Sequence, residues 1–244
     1  MSKKCKFSII MVVKNAIPNI ASSIKSYNSQ NYKNKELLIV HSHSNDGTNE
    51  YVIKLKNKYR IFFDKKSKNK FGSLNLGLKK AKGDYIGLLH AGDHFKTDNT
   101  LKHIYNFLNK KDYDLIYGNC LFINKKKKII RRWHSNIINK NQIEFGWMPP
   151  HTTLFIKKKL SYMRYPTKYK ISGDYYYIIK LFKIAKKIGY LNKFISVMNY
   201  GGDSTNIRNF FLKLKEDYQI SKLHFKNPLI NISFKIIGKV KQFI

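Results

Sequence analysis

A short apolar run, Tyr85 to Leu89, passes directly into the small and polar tetrapeptide HAGD at positions 90–93. A compact apolar run with such a boundary predicts a strand that is buried on both faces of a sheet. In an open α/β sheet, ligands bind beyond the carboxyl ends of the strands, so this turn is a candidate site. Asp93 either caps the helix predicted to begin near Thr97 or holds a divalent cation that bridges phosphate oxygens.

Earlier segments repeat the same alternation of strand and helix. Apolar runs at Phe7–Val13, Glu36–Val40 and Arg60–Phe63 alternate with segments of helical periodicity, of which Ile20–Tyr27 is the clearest. This order predicts an α/β fold with a mostly parallel, Rossmann-like sheet, right-handed crossovers and flanking helices.

After residue 110 the pattern becomes less regular. Short strands are predicted at Leu115–Tyr117 and Cys120–Ile123, and one long helix is predicted at Asp174–Ile188. The last forty residues predict two helices. We therefore expect a first half over residues 1–120, a second half of the same domain over residues 121–204, and a basic helical tail over residues 205–244.

The charge balance leaves three classes of partner open. The formal net charge is +34, from 48 Lys and Arg against 14 Asp and Glu, which suits nucleic acid, an anionic membrane surface or anionic small molecules. Zinc-finger spacing, an RNA-recognition signature and a clustered basic face are not evident, so binding to nucleic acid is not favoured. The scarcity of acids also makes the list of candidate catalytic carboxylates short.

Cysteine content and hydropathy indicate the compartment. Cys5 and Cys120 have neither a disulfide pattern nor metal-ligand spacing, which is typical of a reducing environment. A signal peptide is not predicted, and no apolar run approaches the ~20 residues that span a bilayer. We expect a cytoplasmic protein that contacts the inner face of the cell membrane peripherally.

Two common phosphate-binding signatures are missing from the sequence, which limits the kinds of nucleotide site that can be expected. A Gly-rich fingerprint does not follow the first strand, and a P-loop is absent, so a dinucleotide site and a P-loop nucleotide site are not expected. The turn after Val40, the loop around Gly72–Asn75 and the HAGD turn nevertheless meet at one edge of the predicted sheet. That arrangement suits a nucleotide or another phosphorylated ligand.

Six segments, in this order, resemble the inverting, nucleotide-sugar-dependent glycosyltransferases of family 2, which have the GT-A fold. The segments are SIIMVVKN, ELLIVHSHSNDGT, FGSLNLGLKKAKGDYIGLLHAGD, MPPHTTLFIKKKL, ISGDYYYIIKL and NYGGDSTN. From the first to the last they span residues 8–206, about four fifths of the chain. The Pro-Pro-His segment and the Gly-Gly-x-Ser loop further resemble bacterial transferases that build capsule, O-antigen and other surface polysaccharides.

The resemblance implies a donor site at the sheet edge in the first half of the chain. Val13 and Asn15 would contact the nucleotide, and Asp46 and Asn75 match further positions of the family pattern. His41 stands where relatives usually have an aspartate that grips the base. An imidazole can donate or accept a hydrogen bond but has no fixed negative charge.

The resemblance also implies a metal site. The acidic motif of the family is reduced here to HAGD, in which His90 and Ala91 would line the donor site and Asp93 would hold Mn²⁺ or Mg²⁺. Such an ion keeps several waters and takes few protein ligands besides substrate phosphates, so one carboxylate can suffice.

Asp174 matches the carboxylate that the family uses as general base. The role needs a carboxylate beside the anomeric carbon, which takes the proton of the acceptor hydroxyl as its oxygen attacks. The alternative is that Asp174 only stabilises the N-terminus of the predicted helix.

Four further residues are candidates for the acceptor side. His151 follows a rigid Pro-Pro pair and is either structural or near the donor sugar and acceptor. Trp147 either stacks on a sugar or belongs to the core, and the core is favoured. Gly202 and Ser204 lie in a segment that either closes over the donor or is a plain surface loop.

The C-terminal stretch Leu229–Ile244 has the pattern of a basic amphipathic helix. Its apolar face is predicted at Leu229, Ile232, Ile236, Val240 and Phe243. Such a helix either binds a membrane surface or packs on the body of the protein.

These observations favour an enzyme that transfers a sugar, with inversion, from a nucleotide sugar, expected to be UDP-linked, to a saccharide or lipid-linked saccharide acceptor. Cell-surface polysaccharide biosynthesis is the implied process. A catalytically degenerate relative that binds nucleotide sugar or polysaccharide is the first alternative, and a basic nucleic-acid-binding protein is the second.

Overall fold

The computed structural model describes residues 5–67, 69–137, 140–201, 209–240 and 242. Among them, nine strands form one sheet, and seven α-helices flank it. The strands are β1 (Phe7–Val13), β2 (Lys35–His41), β3 (Arg60–Phe63), β4 (Tyr85–Leu88), β5 (His94–Phe95), β6 (Leu115–Ile123), β7 (Ile129–Trp133), β8 (Phe155–Lys157) and β9 (Ile188–Asn199). The helices are α1 (Asn19–Asn28), α2 (Thr48–Ile53), α3 (Lys70–Lys80), α4 (Thr100–Leu108), α5 (Gly173–Ile184), α6 (Phe210–His224) and α7 (Pro228–Val240).

The sheet has the order β3-β2-β1-β4-β8-β6-β9-β5, with β7 paired to β6. The first four strands in this order are parallel, as the sequence predicts. Beyond β4 the sheet is mixed, because β8 runs antiparallel to both β4 and β6, whereas β6 and β9 are parallel. The α/β class and the parallel first half are confirmed.

Strand β1 is buried on both faces of the sheet. Ile10 belongs to one apolar cluster, with α3 and α5, while Ile9 and Met11 belong to a second cluster with α1 and α4. Alternate residues therefore point into two different cores, which is why the strand is apolar at every position except Ser8.

Two segments differ from the sequence prediction. Leu115–Ile123 is one continuous strand rather than two, and the boundary predicted at residue 120 lies within it. The division into functional halves stays a prediction.

The predicted helix Asp174–Ile188 is too long, because α5 ends at Ile184 and β9 begins at Ile188. The carboxylate of Asp114 accepts hydrogen bonds from the backbone N–H groups of Lys186 and Lys187, at 2.9 and 3.1 Å. Because Asp114 binds these two N–H groups, they cannot continue the helix. The periodicity of the local sequence gives no sign of this contact with a distant residue.

Helix α7 packs with its polar face inward. Asn231 is fully buried and accepts hydrogen bonds from Tyr175 Oη (2.5 Å) and Ser221 Oγ (2.8 Å). Its amide group donates to the backbone carbonyls of Ile143 and Glu144, both at 3.0 Å. The helix is therefore held on the body of the protein by buried hydrogen bonds.

The apolar side of α7 faces outward. Leu229 is 68% exposed, and Ile230, Phe234, Ile236 and Ile237 are each about half exposed. Within the described part of the chain, no helix combines the length and the apolar character that crossing a bilayer requires.

Candidate active site

The loops that follow β1 and β2 are joined at the sheet edge. Val13 is paired with His41, the last residue of β2, and its carbonyl accepts the Ser42 N–H at 3.1 Å. Asn15 has a positive φ of 47°, and its backbone N–H donates to Ser44 Oγ at 3.0 Å. This edge is where the sequence predicts the donor.

Asp46 holds these two loops together. Its carboxylate accepts hydrogen bonds from the Ile17 N–H (3.0 Å) and from the N–H and Oγ1 of Thr48 (3.1 and 2.6 Å). The hydrogen bond from Thr48 is the main reason that the pKa of Asp46 lies below its usual value. The structure thus gives Asp46 a supporting role, and its contact with a donor stays a prediction.

His41 is buried at the end of β2, with its ring 4.7 Å from that of Phe63. Burial lowers its pKa, so the imidazole is neutral at pH 7. Among the described residues, no hydrogen-bond partner for His41 Nδ1 is found. This nitrogen is itself buried, and a contact of His41 with the base of a donor stays a prediction.

The side chain of Asn75 is used in hydrogen bonds within the protein. Its side-chain amide donates to the Tyr165 carbonyl at 2.9 Å and accepts the Tyr165 N–H at 2.8 Å. These bonds fix helix α3 to the segment before α5, so any contribution of Asn75 to donor binding would follow from its position rather than from a free amide.

The HAGD turn is fixed by helix α1 and strand β9. Ser23 Oγ donates to the His90 carbonyl at 3.1 Å and accepts the Gly92 N–H at 2.8 Å. Gly92 has φ = +95°, and a Cβ there would lie 3.1 Å from Asn199 Nδ2, so this position favours glycine. Ala91 is partly exposed in the same turn.

Asp93 is buried, with 6% of its surface exposed. Burial raises its pKa to about 8, and its Oδ2 has no hydrogen-bond partner among the described residues. An unpaired carboxylate oxygen in such a position suits a cation ligand. The described residues contain no group of three or more His, Cys, Asp and Glu side chains that could hold a metal ion.

His90, His151 and Asp174 form a line of polar contacts. His90 Nε2 lies 3.2 Å from His151 Nε2, and His151 Nδ1 lies 3.4 Å from Asp174 Oδ2. These residues come from the turn after β4, from the Pro-Pro segment and from the first turn of α5. The structure therefore brings together three of the side chains that the sequence predicts for the site.

The contacts among His90, His151 and Asp174 determine which ring nitrogens of the two histidines carry a proton. Burial lowers the pKa of His90 to about 3 and also lowers that of His151, so both rings are neutral at pH 7. An ionised carboxylate only accepts hydrogen bonds, so the favourable contact places the His151 proton on Nδ1. His151 Nε2 is then the acceptor for the proton on His90 Nε2.

Glu216 positions the start of α5, and sequence reasoning gave it no role. Its buried carboxylate accepts the backbone N–H groups of Lys170 (2.7 Å), Ile171 (3.0 Å) and Ser172 (2.8 Å). The segment that leads to Asp174 is thus held by a charge on α6. The only signal in the sequence was the pair of acids Glu216 and Asp217 on an otherwise basic helix.

Helix α5 also begins close to α3. A Cβ at Gly173 would lie 2.7 Å from the ring of Phe71, so the close approach requires glycine there.

Asp174 and His151 line a cavity of about 670 Å³, a size typical of ligand sites. Trp147 lines it but also packs on the core, since its ring contacts Tyr117 and Phe182 and its Nε1 donates to the Ser135 carbonyl at 2.8 Å. The predictions for Gly202 and Ser204 fall outside the described residues.

Comparison with known families gives a match at residues 8–173 to the model described as glycosyl transferase family 2. The chain belongs to this family. The matched region contains the sheet edge, the HAGD turn and the Pro-Pro-His segment, and it ends at the residue before Asp174.

Curated relatives are bacterial and archaeal glycosyltransferases. An uncharacterised glycosyltransferase of Rickettsia conorii is 33% identical over 137 residues, which cover 56% of this chain and 22% of the relative. The Escherichia coli enzyme WfgD, named UDP-Glc:alpha-D-GlcNAc-diphosphoundecaprenol beta-1,3-glucosyltransferase, is 26% identical over 233 residues, which cover 93% of this chain and 89% of WfgD. The chain spans between 22% and 47% of the length of the first four relatives.

Solved structures share the fold. Residues 1–349 of Staphylococcus aureus TarS, in complex with UDP-GlcNAc, match with a TM-score of 0.67 at 17% identity, covering 89% of this chain and 65% of that one. The mannosyltransferase PcManGT from Pyrobaculum calidifontis, in complex with GDP-Man and Mn²⁺, matches with a TM-score of 0.65 at 14% identity, covering 97% and 74%. The predicted GT-A fold is thereby confirmed.

Proposed function

We propose that this protein transfers a sugar from a nucleotide-sugar donor to a saccharide on a lipid-linked acceptor, with inversion at the anomeric carbon. The observation that carries the proposal is the placement of Asp174, backed by His151 and His90, where the sheet edge of a family 2 fold meets a large cavity. Cell-surface polysaccharide biosynthesis is the process we infer, since WfgD is named for a diphosphoundecaprenol-linked substrate.

In the proposed reaction Asp174 is the general base. The acceptor hydroxyl oxygen attacks the anomeric carbon, its proton passes to Asp174, and the bond from that carbon to the donor diphosphate breaks, with the electron pair leaving on the diphosphate oxygen. The contact with His151 Nδ1 orients the carboxylate so that its position is fixed before the acceptor arrives.

The donor is expected at the edge formed by Val13, Asn15 and His41. UDP is the nucleotide that we propose, because a TarS structure is a complex with UDP-GlcNAc and WfgD is named for UDP-Glc. His41 Nδ1, without a partner among the described residues, is the group we assign to the base.

We propose a divalent cation, Mn²⁺ or Mg²⁺, with Asp93 as its carboxylate ligand and His90 beside it. The unpaired oxygen of Asp93 fits such a role, and PcManGT is a structural neighbour whose complex includes Mn²⁺. When bound, the ion would neutralise charge on the leaving diphosphate.

We further propose that the outward face of α7 contacts the anionic inner surface of the cell membrane. Its exposed apolar residues lie on a chain with a net charge of +34, which suits insertion among anionic headgroups. The double variant Ile236→Ser/Ile237→Ser should sediment less with anionic vesicles, whereas the exposed Ile129→Ser on β7 should behave as wild type. Equal binding of all three proteins would refute this contact.

The first test of the enzyme is thermal unfolding against a panel of nucleotides and nucleotide sugars, with and without Mn²⁺. A ligand that binds only the folded state raises the melting temperature by mass action. A shift with UDP or a UDP-sugar that Mn²⁺ increases would support the donor and metal sites. If no nucleotide gives a shift, the replacement of family acids at His41 and Gly92 has disabled the donor site, and the protein is a degenerate relative.

A further inference from the structure

The cavity that Asp174 lines also has a basic wall. Arg131 on β7, Lys213 on α6 and Lys235 and Lys239 on α7 all line it. The acid among these side chains is Asp217, whose carboxylate is shared by Lys213 (2.5 Å) and Lys235 (3.0 Å). Among the described residues, cations exceed carboxylates in this wall.

Lys239 is the cation with the fewest internal contacts. Its pKa is lowered by burial and by the charges of Arg131 and Lys213. No ion pair of Lys239 occurs among the described residues, whereas Lys235 is engaged with Asp217 and lies 3.2 Å from the centre of the Tyr175 ring. An anion at Lys239 would relieve the repulsion between these cations.

The rim of the cavity beside this wall is apolar. Phe145 and Phe234 both line the cavity, both are about half exposed, and their rings meet edge to face at 5.7 Å. Phe234 lies on α7, next to the exposed apolar face of that helix. The cavity therefore combines a carboxylate, a cationic wall and an apolar lip.

We infer that this wall binds the diphosphate of a lipid-linked acceptor, with the saccharide at Asp174 and the lipid leaving past Phe145 and Phe234. The inference rests on the proposed function, and it adds a second phosphate site that is separate from the donor edge. A phosphate beside Lys239 forms a charge-assisted hydrogen bond, which is the usual way in which lysine binds phosphate.

The cavity contains its own spectroscopic probe. The chain has two tryptophans, Trp133 and Trp147, and both line this cavity. Their fluorescence can therefore report ligand binding in the cavity even if no sugar is transferred. A failure of binding at the wall can thus be told apart from a failure of the proposed reaction.

The experiment titrates the full chain, with excess UDP present, with farnesyl diphosphate, with farnesol and with inorganic pyrophosphate. Farnesyl diphosphate should change the fluorescence saturably, pyrophosphate should bind more weakly because the lip is unused, and farnesol should not saturate. Lys239→Gln should weaken farnesyl diphosphate binding about 10-fold, and Lys239→Glu should weaken it further. The control Lys222→Gln removes an exposed charge on α6 and should leave the affinity unchanged.

Equal affinity of wild type and Lys239→Gln for farnesyl diphosphate would overturn the inference, as would equal binding of farnesol. Tighter binding of pyrophosphate than of farnesyl diphosphate would show a plain anion site and would also overturn it. Melting temperatures of the variants verify that each is folded. Sugar transfer to an acceptor without phosphate, unaffected by Lys239→Gln, would leave the proposed reaction intact.

Discussion

The proposed donor edge and the proposed acceptor cavity are built in opposite ways. The donor edge comes from loops after neighbouring parallel strands, and one of its acids, Asp46, is used to tie loops together. The cavity is assembled from β7, the Pro-Pro segment, the start of α5 and helices α6 and α7, and it is rich in cations. Asp174 and His151 lie where the two regions meet.

Under the proposed function, this chain recognises donor and acceptor with different groups. At the donor edge, His41 and Gly92 occupy positions where the family resemblance expects acids. At the acceptor end, lysines and an arginine provide charge for an anionic ligand. Variants that affect one region and spare the other can therefore test the division.

The largest effect is expected from Asp174→Asn. The variant keeps the shape of the side chain but lacks the base, so kcat should fall about 10³-fold. The melting-temperature shift caused by UDP should stay close to that of the wild type. A variant that loses donor binding and turnover to the same extent would show that Asp174 acts in binding rather than as the base.

The next largest effect is expected from Glu216→Gln, which should lower the stability of the fold. The buried carboxylate accepts hydrogen bonds from three backbone N–H groups. In the glutamine variant, the NH₂ group of the side chain would face N–H groups that need an acceptor. We expect the free energy of unfolding to fall by about 3 kcal/mol. Urea denaturation measures the change, with the exposed Glu144→Gln as control. A loss no greater than that of the control would mean that α5 is held by other contacts.

Two replacements of His151 separate its two nitrogens. Asparagine places an amide N–H near the position of Nδ1, whereas glutamine places one near Nε2. If the contact with Asp174 matters, His151→Gln should lower kcat by about 10- to 100-fold, and His151→Asn should retain most of the activity. The opposite ranking would make the contact with His90 the important one.

The smallest effect concerns pH. Burial lowers the pKa of His90 to about 3, so the folded state binds its proton less readily than the unfolded state does. Stability from this group is therefore fully present above the unfolded pKa, near 6.5, and is lost as the pH falls from there toward 3. Between pH 7.5 and 5.5, the melting temperature of His90→Gln should fall less than that of the wild type. Parallel curves would place the His90 ring in water rather than in the protein.

The donor half could be predicted closely because its signals are local. Apolar runs marked β1, β2 and β4 to within a residue or two, and the resemblance to family 2 placed Asp174 and His151 in the site. The end of α5 and the strand β9 escaped prediction because Asp114, about seventy residues earlier, determines them.

The cavity could not be predicted for a similar reason. The sequence pattern of α7 identified an apolar face, but it could not show that Asn231 would be buried and that Lys235 would point inward. Nothing in a single sequence distinguishes a buried asparagine whose side chain makes all its hydrogen bonds from an exposed one. Glu216 was likewise indistinguishable from a surface charge until its three N–H donors were in place.

The central claim is an inverting transfer in which Asp174 takes the proton of the acceptor. The most direct measurement is the proton NMR spectrum of the product formed from a UDP-α-sugar and a saccharide–diphosphate–lipid acceptor. Inversion with Asp174 as the base should give a β linkage as the only product, and Asp174→Asn should give no product. An α-linked product would mean retention of configuration, which one in-line displacement cannot give, and it would contradict the assignment.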